Sequence, residues 1–151
     1  MTARLKSLLG VDATLSHGMA VVQIAPMHVR AAATELRDEH GYDVLLDVTA
    51  VDGMGRSPRF EVVWHFFSSR DCTRVRLKTW VDEGDPSVDS LNSLYGSAAF
   101  MERECHEMLG IRFKGNDDLR PILLYEGFVG HPLRKDYDKH HEQPLVRYRD
   151  S

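Results

Sequence analysis

Cysteine is scarce in this sequence: Cys72 and Cys105 lie far apart and form no C-x-x-C pair. Two thiols are too few for an iron–sulfur cluster, which usually takes four. Their spacing favours two free thiols in a reducing compartment over a disulfide. Long apolar runs are missing as well, and no segment approaches the ~20 residues of a membrane-spanning helix. Basic charge is not in excess: 19 Lys and Arg against 23 Asp and Glu give a net charge of −4, which argues against nucleic acid or an anionic membrane as partner. Glycine is not massed in a phosphate loop, since Gly53-x-Gly55 lacks a third glycine before a helix, and no H-E-x-x-H pair is present. The opening MTARLKSLL has no apolar h-region or small-residue cleavage site, so a secretory signal is not expected. It reads instead as a short amphipathic helix burying Leu5, Leu8 and Leu9.

What is present is one domain's worth of alternating pattern, with 151 residues and room for a single core. Residues 18–25 read as a strand, and Pro26 suits the first turn of a helix because its missing N–H has no partner to lose there. Val29, Ala32, Ala33, Leu36 and His40 recur at helical spacing, with Gly41 as the stop and His40 as a cap or dipole-matched residue. Residues 43–51 are apolar and β-branched, which suits a central strand. Residues 59–68 form an aromatic strand after Asp52-Gly53-Met54-Gly55, which is turn chemistry. Residues 73–81 alternate: Val75, Leu77, Thr79 and Val81 face a core, while Arg74, Arg76, Lys78 and Trp80 form a basic ridge. That ridge reads as a solvated or docking face rather than a nucleic-acid platform.

Asp85-Pro86-Ser87 breaks the chain, and a short helix is expected within 87–95. Ser97 is the expected N-cap of a second helix, Ala98 to about Leu109, with Ala98, Met101, Cys105, Met108 and Leu109 as its apolar stripe and Gly110 as its end. The fold class is therefore α+β: a single mostly antiparallel sheet with helices packed on it, in the order β-α-β-β-β-α. Residues 1–125 form this domain. Residues 126–151 have no periodicity and scatter Phe128, Val129, Leu133, Tyr137, Leu145 and Val146 between charges and prolines. Extended, they reach up to roughly 90 Å, and alone they bury too little surface to offset their ordering entropy. They read as an extended partner-binding tail.

Candidate chemistry is thin. His140-His141-Glu142 and Cys105-His106-Glu107 contain metal-ligating types, but adjacent helix residues point about 100° apart and no closed-site spacing is present. Glu102, Glu104 and Glu107 could serve acid–base work with His131, although the i,i+4 spacing of Arg103 and Glu107 makes a local ion pair the simpler expectation. A small stand-alone acid–base enzyme built on Glu104, Glu107 and His131 is the reading from a different class.

Glu102-Arg103-Glu104, then Glu107-Met108-Leu109-Gly110-Ile111-x-Phe113, Gly115, Asp118-Leu119-Arg120, Ile122-Leu123 and Gly130-His131-Pro132-Leu133-Arg134-Lys135-Asp136-Tyr137 run in one order. Together they resemble the 30-kDa subunit family of respiratory complex I, the C subunits of the bacterial NADH:quinone oxidoreductase. The chain departs from the family with Phe100-Met101 where a tryptophan is frequent, and with Asn116-Asp117 in place of a G-H-P run. The resemblance implies a peripheral-arm subunit with no cofactor of its own, FMN and iron–sulfur clusters being carried by partners. It implies packing against the 49-kDa-type large subunit (the D subunit) and near the terminal iron–sulfur cluster subunit (the B subunit). The place implied is the cytoplasmic face of a prokaryotic inner membrane, which the chain touches only indirectly. Membrane-bound [NiFe] hydrogenases and ferredoxin- or F420H2-linked complexes share these blocks in looser form, and an equivalent place in one of them is the alternative. The implied interface and structural residues are Glu102, Arg103, Glu104, Glu107, Arg120, His131, Pro132, Leu133, Arg134, Lys135, Asp136 and Tyr137. Arg103, Glu104, Arg120, Arg134 and Asp136 are expected in inter-element or inter-subunit ion pairs, and His131 as a hydrogen-bonded tail anchor.

Overall fold

A computed structural model describes residues 13–141 and Gln143. The amphipathic reading of 1–9 and the apolar residues Leu145 and Val146 lie outside the described residues. Two short strands, β1 (Ala13–Ser16) and β2 (Met19–Gln23), open the fold. A 3-10 turn at Pro26–His28 leads into helix α1 (Val29–Asp38), and three long strands follow: β3 (Val44–Asp52), β4 (Phe60–Ser68) and β5 (Thr73–Val81). The chain continues through β6 (Ser87–Asp89), α2 (Ala98–Leu109) and β7 (Arg112–Lys114).

The main sheet runs β1-β2-β5-β4-β3 and is antiparallel at every step except β2 against β5. Phe60, Val62, Trp64 and Phe66 of β4 and Val75 and Leu77 of β5 point to one face, where each is at most 1% exposed. Val29, Ala32, Ala33 and Leu36 of α1 and Ala98, Cys105 and Leu109 of α2 join them in one core. This is the period-2 and period-3.6 pattern of the sequence meeting across two layers. The α+β class and the helices packed on a mostly antiparallel sheet are as expected. Gly110 ends α2 in the left-handed region at φ 77°, the conformation a glycine C-cap supplies.

Three local expectations are overturned. Residues 87–89 are not helical but pair in parallel with β7, forming a second, two-stranded sheet beside the main one. That partner lies downstream of α2, where local propensity gives no sign of it. β3 is an edge strand, not a central one. Its apolar character on both faces leaves Val44, Leu46 and Val51 exposed at 37%, 45% and 51%. Ser97 does not cap α2 through its side chain; its hydroxyl donates to the Leu45 carbonyl at 3.0 Å and ties the helix start to β3. His40 lies just past the α1 terminus, its Nε2 3.9 Å from the Glu35 carboxylate.

Candidate interaction site: a clasp around the C-terminal segment

Glu107 and Arg103 lie one turn apart on α2, yet they do not pair. Arg103 donates from Nε to the Arg120 carbonyl at 2.9 Å and from Nη2 to the Pro121 carbonyl at 3.0 Å. Glu107, 7% exposed, accepts the backbone N–H groups of Ile122, Leu123 and Leu124 at 3.3, 2.9 and 2.8 Å. One side chain therefore holds the carbonyls of an irregular segment and the other its amides, so buried charge is matched by backbone dipoles. The expected Arg103–Glu107 ion pair is replaced by this clamp because the unladdered backbone at 120–124 has hydrogen-bonding capacity to fill. Its side chains turn outward, with Leu123 62% exposed.

Glu102 is fully buried and lies deeper in the fold. Its carboxylate accepts from the Ser90 hydroxyl (2.7 Å), the Leu91 N–H (2.8 Å) and the Asn116 amide (3.0 Å). Burial pushes its pKa up, and these three donors work in the other direction. It ties α2 to the turn after β6 and to the turn after β7. Glu104, by contrast, is exposed and has no hydrogen bond or ion pair among the described residues, so within them it makes no inter-element pair.

The segment from His131 to Tyr137 closes over the C-terminal end of α2. The last carbonyls of a helix have no intrahelical partner, and here the tail supplies three donors. His131 Nδ1 donates to the Glu107 carbonyl at 2.9 Å, the Leu133 N–H to that of Met108 at 3.1 Å, and Arg134 Nε to that of Leu109 at 2.7 Å. A cationic Arg134 at the negative end of the helix dipole adds favourable electrostatics. Partial burial and the neighbouring Arg134 and His106 lower the His131 pKa, against the bond to the Glu107 carbonyl, which raises it. Pro132 sits between two of these donors and has no N–H of its own to satisfy.

The clasp is locked at the β3–β4 turn. Arg59 forms a bidentate pair with Asp52, Nε to Oδ1 at 2.9 Å and Nη2 to Oδ2 at 2.8 Å. The same guanidinium grips Asp136 of the tail at 2.8 and 3.0 Å and also binds Glu83. Asp52 in turn accepts the Lys135 N–H at 2.8 Å. Side-chain exposure is 7% for Arg59 and 2% for Asp52. The Phe60 ring lies between two guanidiniums, with Arg59 4.9 Å and Arg134 5.1 Å from its centroid. Beyond the lock, Tyr137 stacks on Phe128 at 6.1 Å, and Gln143 bonds both the Tyr137 hydroxyl and the Val129 backbone. Of the expected tail 126–151, the described residues up to His141 and Gln143 lie against their own domain. Arg120 makes only a local pair with Asp118, and its side chain is 81% exposed.

The Arg59 hydrogen bonds hold the Asp52 pKa down to about 2, the first and largest of its causes. A carboxylate lowered on folding stabilises the native state above its unfolded pKa, and that stability is lost as pH falls through the folded value. Acidification from about pH 4 to about pH 2 should therefore remove on the order of 2 kcal/mol through this group. Urea unfolding across that window should show the drop, and an Asp52→Asn variant, already lacking this carboxylate, should show a smaller one, since other lowered carboxylates such as Asp136 and Asp43 remain.

Asp52 and Arg59 are the residues that sequence reading missed as a site. They were visible only as the two ends of a glycine-rich turn, and nothing local links them to Asp136. Among the described residues Glu104 makes no bond to His131, the Glu107 carboxylate is taken up by backbone amides, and His131 Nδ1 bonds a backbone carbonyl. The three side chains expected as an acid–base group are therefore not joined to one another. Cys105 is buried and Cys72 exposed, both as free thiols. Among the described residues there is no cluster of three or more metal-ligating side chains and no helix long and apolar enough to cross a membrane.

The site is thus an α+β domain whose charged side chains clamp its own irregular C-terminal segment. Known proteins share this sequence pattern and fold. Residues 22–143 match the family model of the respiratory-chain NADH dehydrogenase 30-kDa subunit. The C subunit of the NADH-quinone oxidoreductase of Citrifermentans bemidjiense is 42% identical over 84% of this chain and 79% of its own. A Bdellovibrio bacteriovorus protein, named as the C/D subunit of the NADH-quinone oxidoreductase, is 40% identical over 83% of this chain and 22% of its own. Among solved structures, the trypsin-resistant fragment (1-134) of Nqo5 superposes with TM-score 0.68 at 28% identity, covering 78% of this chain and 93% of the fragment. The chain belongs to the 30-kDa subunit family of the respiratory-chain NADH dehydrogenase. It is a non-catalytic, peripheral-arm subunit of NADH:quinone oxidoreductase that packs with other subunits of that complex.

Proposed function

We propose that this chain packs against the 49-kDa-type large subunit (the D subunit), beside the terminal iron–sulfur cluster subunit (the B subunit), and holds the geometry of the quinone-reducing end. Electrons from NADH pass through FMN and clusters carried by those partners, and their flow drives proton translocation in the membrane arm. The place of action is the cytoplasmic face of a prokaryotic inner membrane, reached through other subunits. Electron-transfer and quinone sites require fixed positions, and a rigid neighbour supplies them.

The observation that carries this reading is the clasped segment itself. Its backbone is fixed by Glu107, Arg103 and the Arg59 lock, while Ile122, Leu123, Val129 and Leu133 turn outward at 39%, 62%, 72% and 61% exposure. Apolar side chains presented on a pre-ordered backbone cost little further entropy when a partner covers them. The Bdellovibrio relative, whose name joins the C and D subunits, supports close apposition of the two. The Nqo5 fragment, which is named trypsin-resistant, supports a compact domain distinct from its tail.

Truncation after Tyr125 is the test. Full-length tagged chain from gently solubilised native membranes should bring the large subunit and the NADH-oxidising partners. The truncated chain, still folded by circular dichroism, should recover less than about a tenth as much. Normal recovery would show that the part of the clasped segment beyond Tyr125 does not mediate assembly. Hydrogenase subunits in place of the NADH-oxidising ones would place the chain in a different complex.

A further inference from the structure

The sheet face opposite the helices is covered by no described element, and strand register sets its side chains in rows. Arg76 of β5 stands between Val21 of β2 and His65 of β4, and His65 stands beside Asp47 of β3. One row along, Arg74 stands beside Phe67, and in the other direction Lys78 stands beside Val63, which is only 6% exposed beneath its neighbours.

The cations on this face are not equivalent. Lys78 is neutralised by both oxygens of Glu61 at 3.1 Å. Arg74 and Arg76 have no carboxylate within ion-pair distance among the described residues, although the chain as a whole is acidic. Both are nevertheless held in place. Arg76 donates Nε to His65 Nε2 at 2.7 Å, and its two terminal nitrogens have no acceptor among the described residues. Burial, and then the Arg76 charge, lower the His65 pKa and so keep Nε2 free to accept. Arg74 lies over the Phe67 ring, 6.0 Å from the centroid. Two guanidinium forks two residues apart on one strand are separated by roughly 6–7 Å. Pre-ordered forks are the geometry that takes carboxylates bidentately. Arginine and aromatic groups set among valines are also the composition of an interface centre.

We propose that this outer sheet face is a second docking surface, separate from the clasped segment. It receives an acidic protein segment from a neighbour in the assembly, with two carboxylates roughly 6–7 Å apart, one for Arg74 and one for Arg76. Such spacing occurs at i and i+2 of an extended chain, and close to it at i and i+4 of a helix. A nucleic acid fits less well, because Glu61 and Asp47 stand on the same face and would repel a continuous phosphate backbone. The proposal rests on the chain's place in a multi-subunit assembly but not on which subunits surround it.

Two measurements on the full chain in its native assembly test it. An R74E/R76E variant should keep the wild-type fold by circular dichroism and thermal midpoint yet be recovered with partner subunits at least tenfold less. An R30E control on α1 should be recovered normally. Incorporation of R74E/R76E at the wild-type level would overturn the proposal. Separately, a photo-cross-linking phenylalanine analogue at the exposed Thr49, on the same face, should join the chain to an acidic segment of another subunit. Cross-links only to nucleic acid or lipid, or to a segment without paired carboxylates, would overturn it. Because the cross-link reports the touching segment whatever the complex, it separates failure of this inference from failure of the NADH:quinone oxidoreductase reading. If hydrogenase-type subunits came down with the wild-type chain, that reading would fall while a cross-link to an acidic segment would still uphold the docking face.

Discussion

Replacement of Arg59 by alanine should destabilise the chain by about 3–4 kcal/mol, at the lower end of what removing one partner of a buried ion pair costs. Asp52, 2% exposed at its side chain, would lose its bidentate partner and keep only the Lys135 N–H and turn contacts. Asp136 and Glu83 are more exposed, at 45% and 58%, and water would screen them in part; this places the expected cost below the upper limit. The loss would not be confined to the turn. Asp136 would lose the guanidinium that holds it against β4, so the segment from Asp136 onward should loosen while the bonds of His131, Leu133 and Arg134 to the end of α2 remain. Urea denaturation should show the drop in stability. Limited proteolysis at Lys135 and Lys139 should show cleavage of the variant under conditions where the parent resists. An Arg59→Lys variant should lie between, since an ammonium cannot grip Asp52 and Asp136 with two planar edges at once. If R59A unfolded at the wild-type urea midpoint and its tail stayed protected, the lock would be unimportant.

The second large effect is expected at Gly110. Its φ of 77° is a conformation in which a non-glycine residue costs about 1–2 kcal/mol. A β-carbon built there would collide with Arg134 Nη2 and fall 2.6 Å from His131 Nε2. These are the far ends of two side chains that anchor the tail, so the strain has an outlet: both can swing away and leave the carbonyls of Glu107 and Leu109 without their donors. Gly110→Ala should therefore cost about 2–4 kcal/mol, as left-handed strain plus a steric term of about 1–3 kcal/mol. It should raise amide exchange at Leu133 more than in the core strands β4 and β5. Equal protection of Leu133 in parent and variant would mean that the tail does not depend on this close approach.

These two positions differ in how they could be read in advance. Gly110 was legible, because an apolar helical stripe that stops at a glycine specifies a left-handed C-cap by backbone chemistry alone. Its second role, leaving room for Arg134 and His131, was not, because it depends on where a segment more than twenty residues later comes to lie. The same division holds elsewhere. β4 and β5 were readable to within a residue, since alternation of large apolar side chains with polar ones has no other stable use. β6 was misread as helix because three residues are too few to carry a period, and its partner β7 lies on the far side of α2. β3 was read as central from its β-branched, apolar character. Sheet order is a property of pairing, not composition, and it put β3 at the edge. Arg103 and Glu107 were read as a pair from their spacing, but an irregular backbone lay close enough to outbid each for the other.

What the sequence by itself determined was local: the strands β2 to β5 and both helices, most residues of the core, the place where α2 stops, and a block of motifs ordered tightly enough to mark the family. Tertiary structure alone decided how the charges are used. Asp52, Arg59 and Asp136 meet because a hairpin turn sets the first two side by side and the tail folds back to bring the third. Arg74 and Arg76 have no carboxylate partner among the described residues because strand register set Phe67 and His65 beside them instead. Periodicity is written within a few residues, whereas the partner of a charge is chosen by whatever the fold brings within a few ångströms, and that choice spans the whole chain.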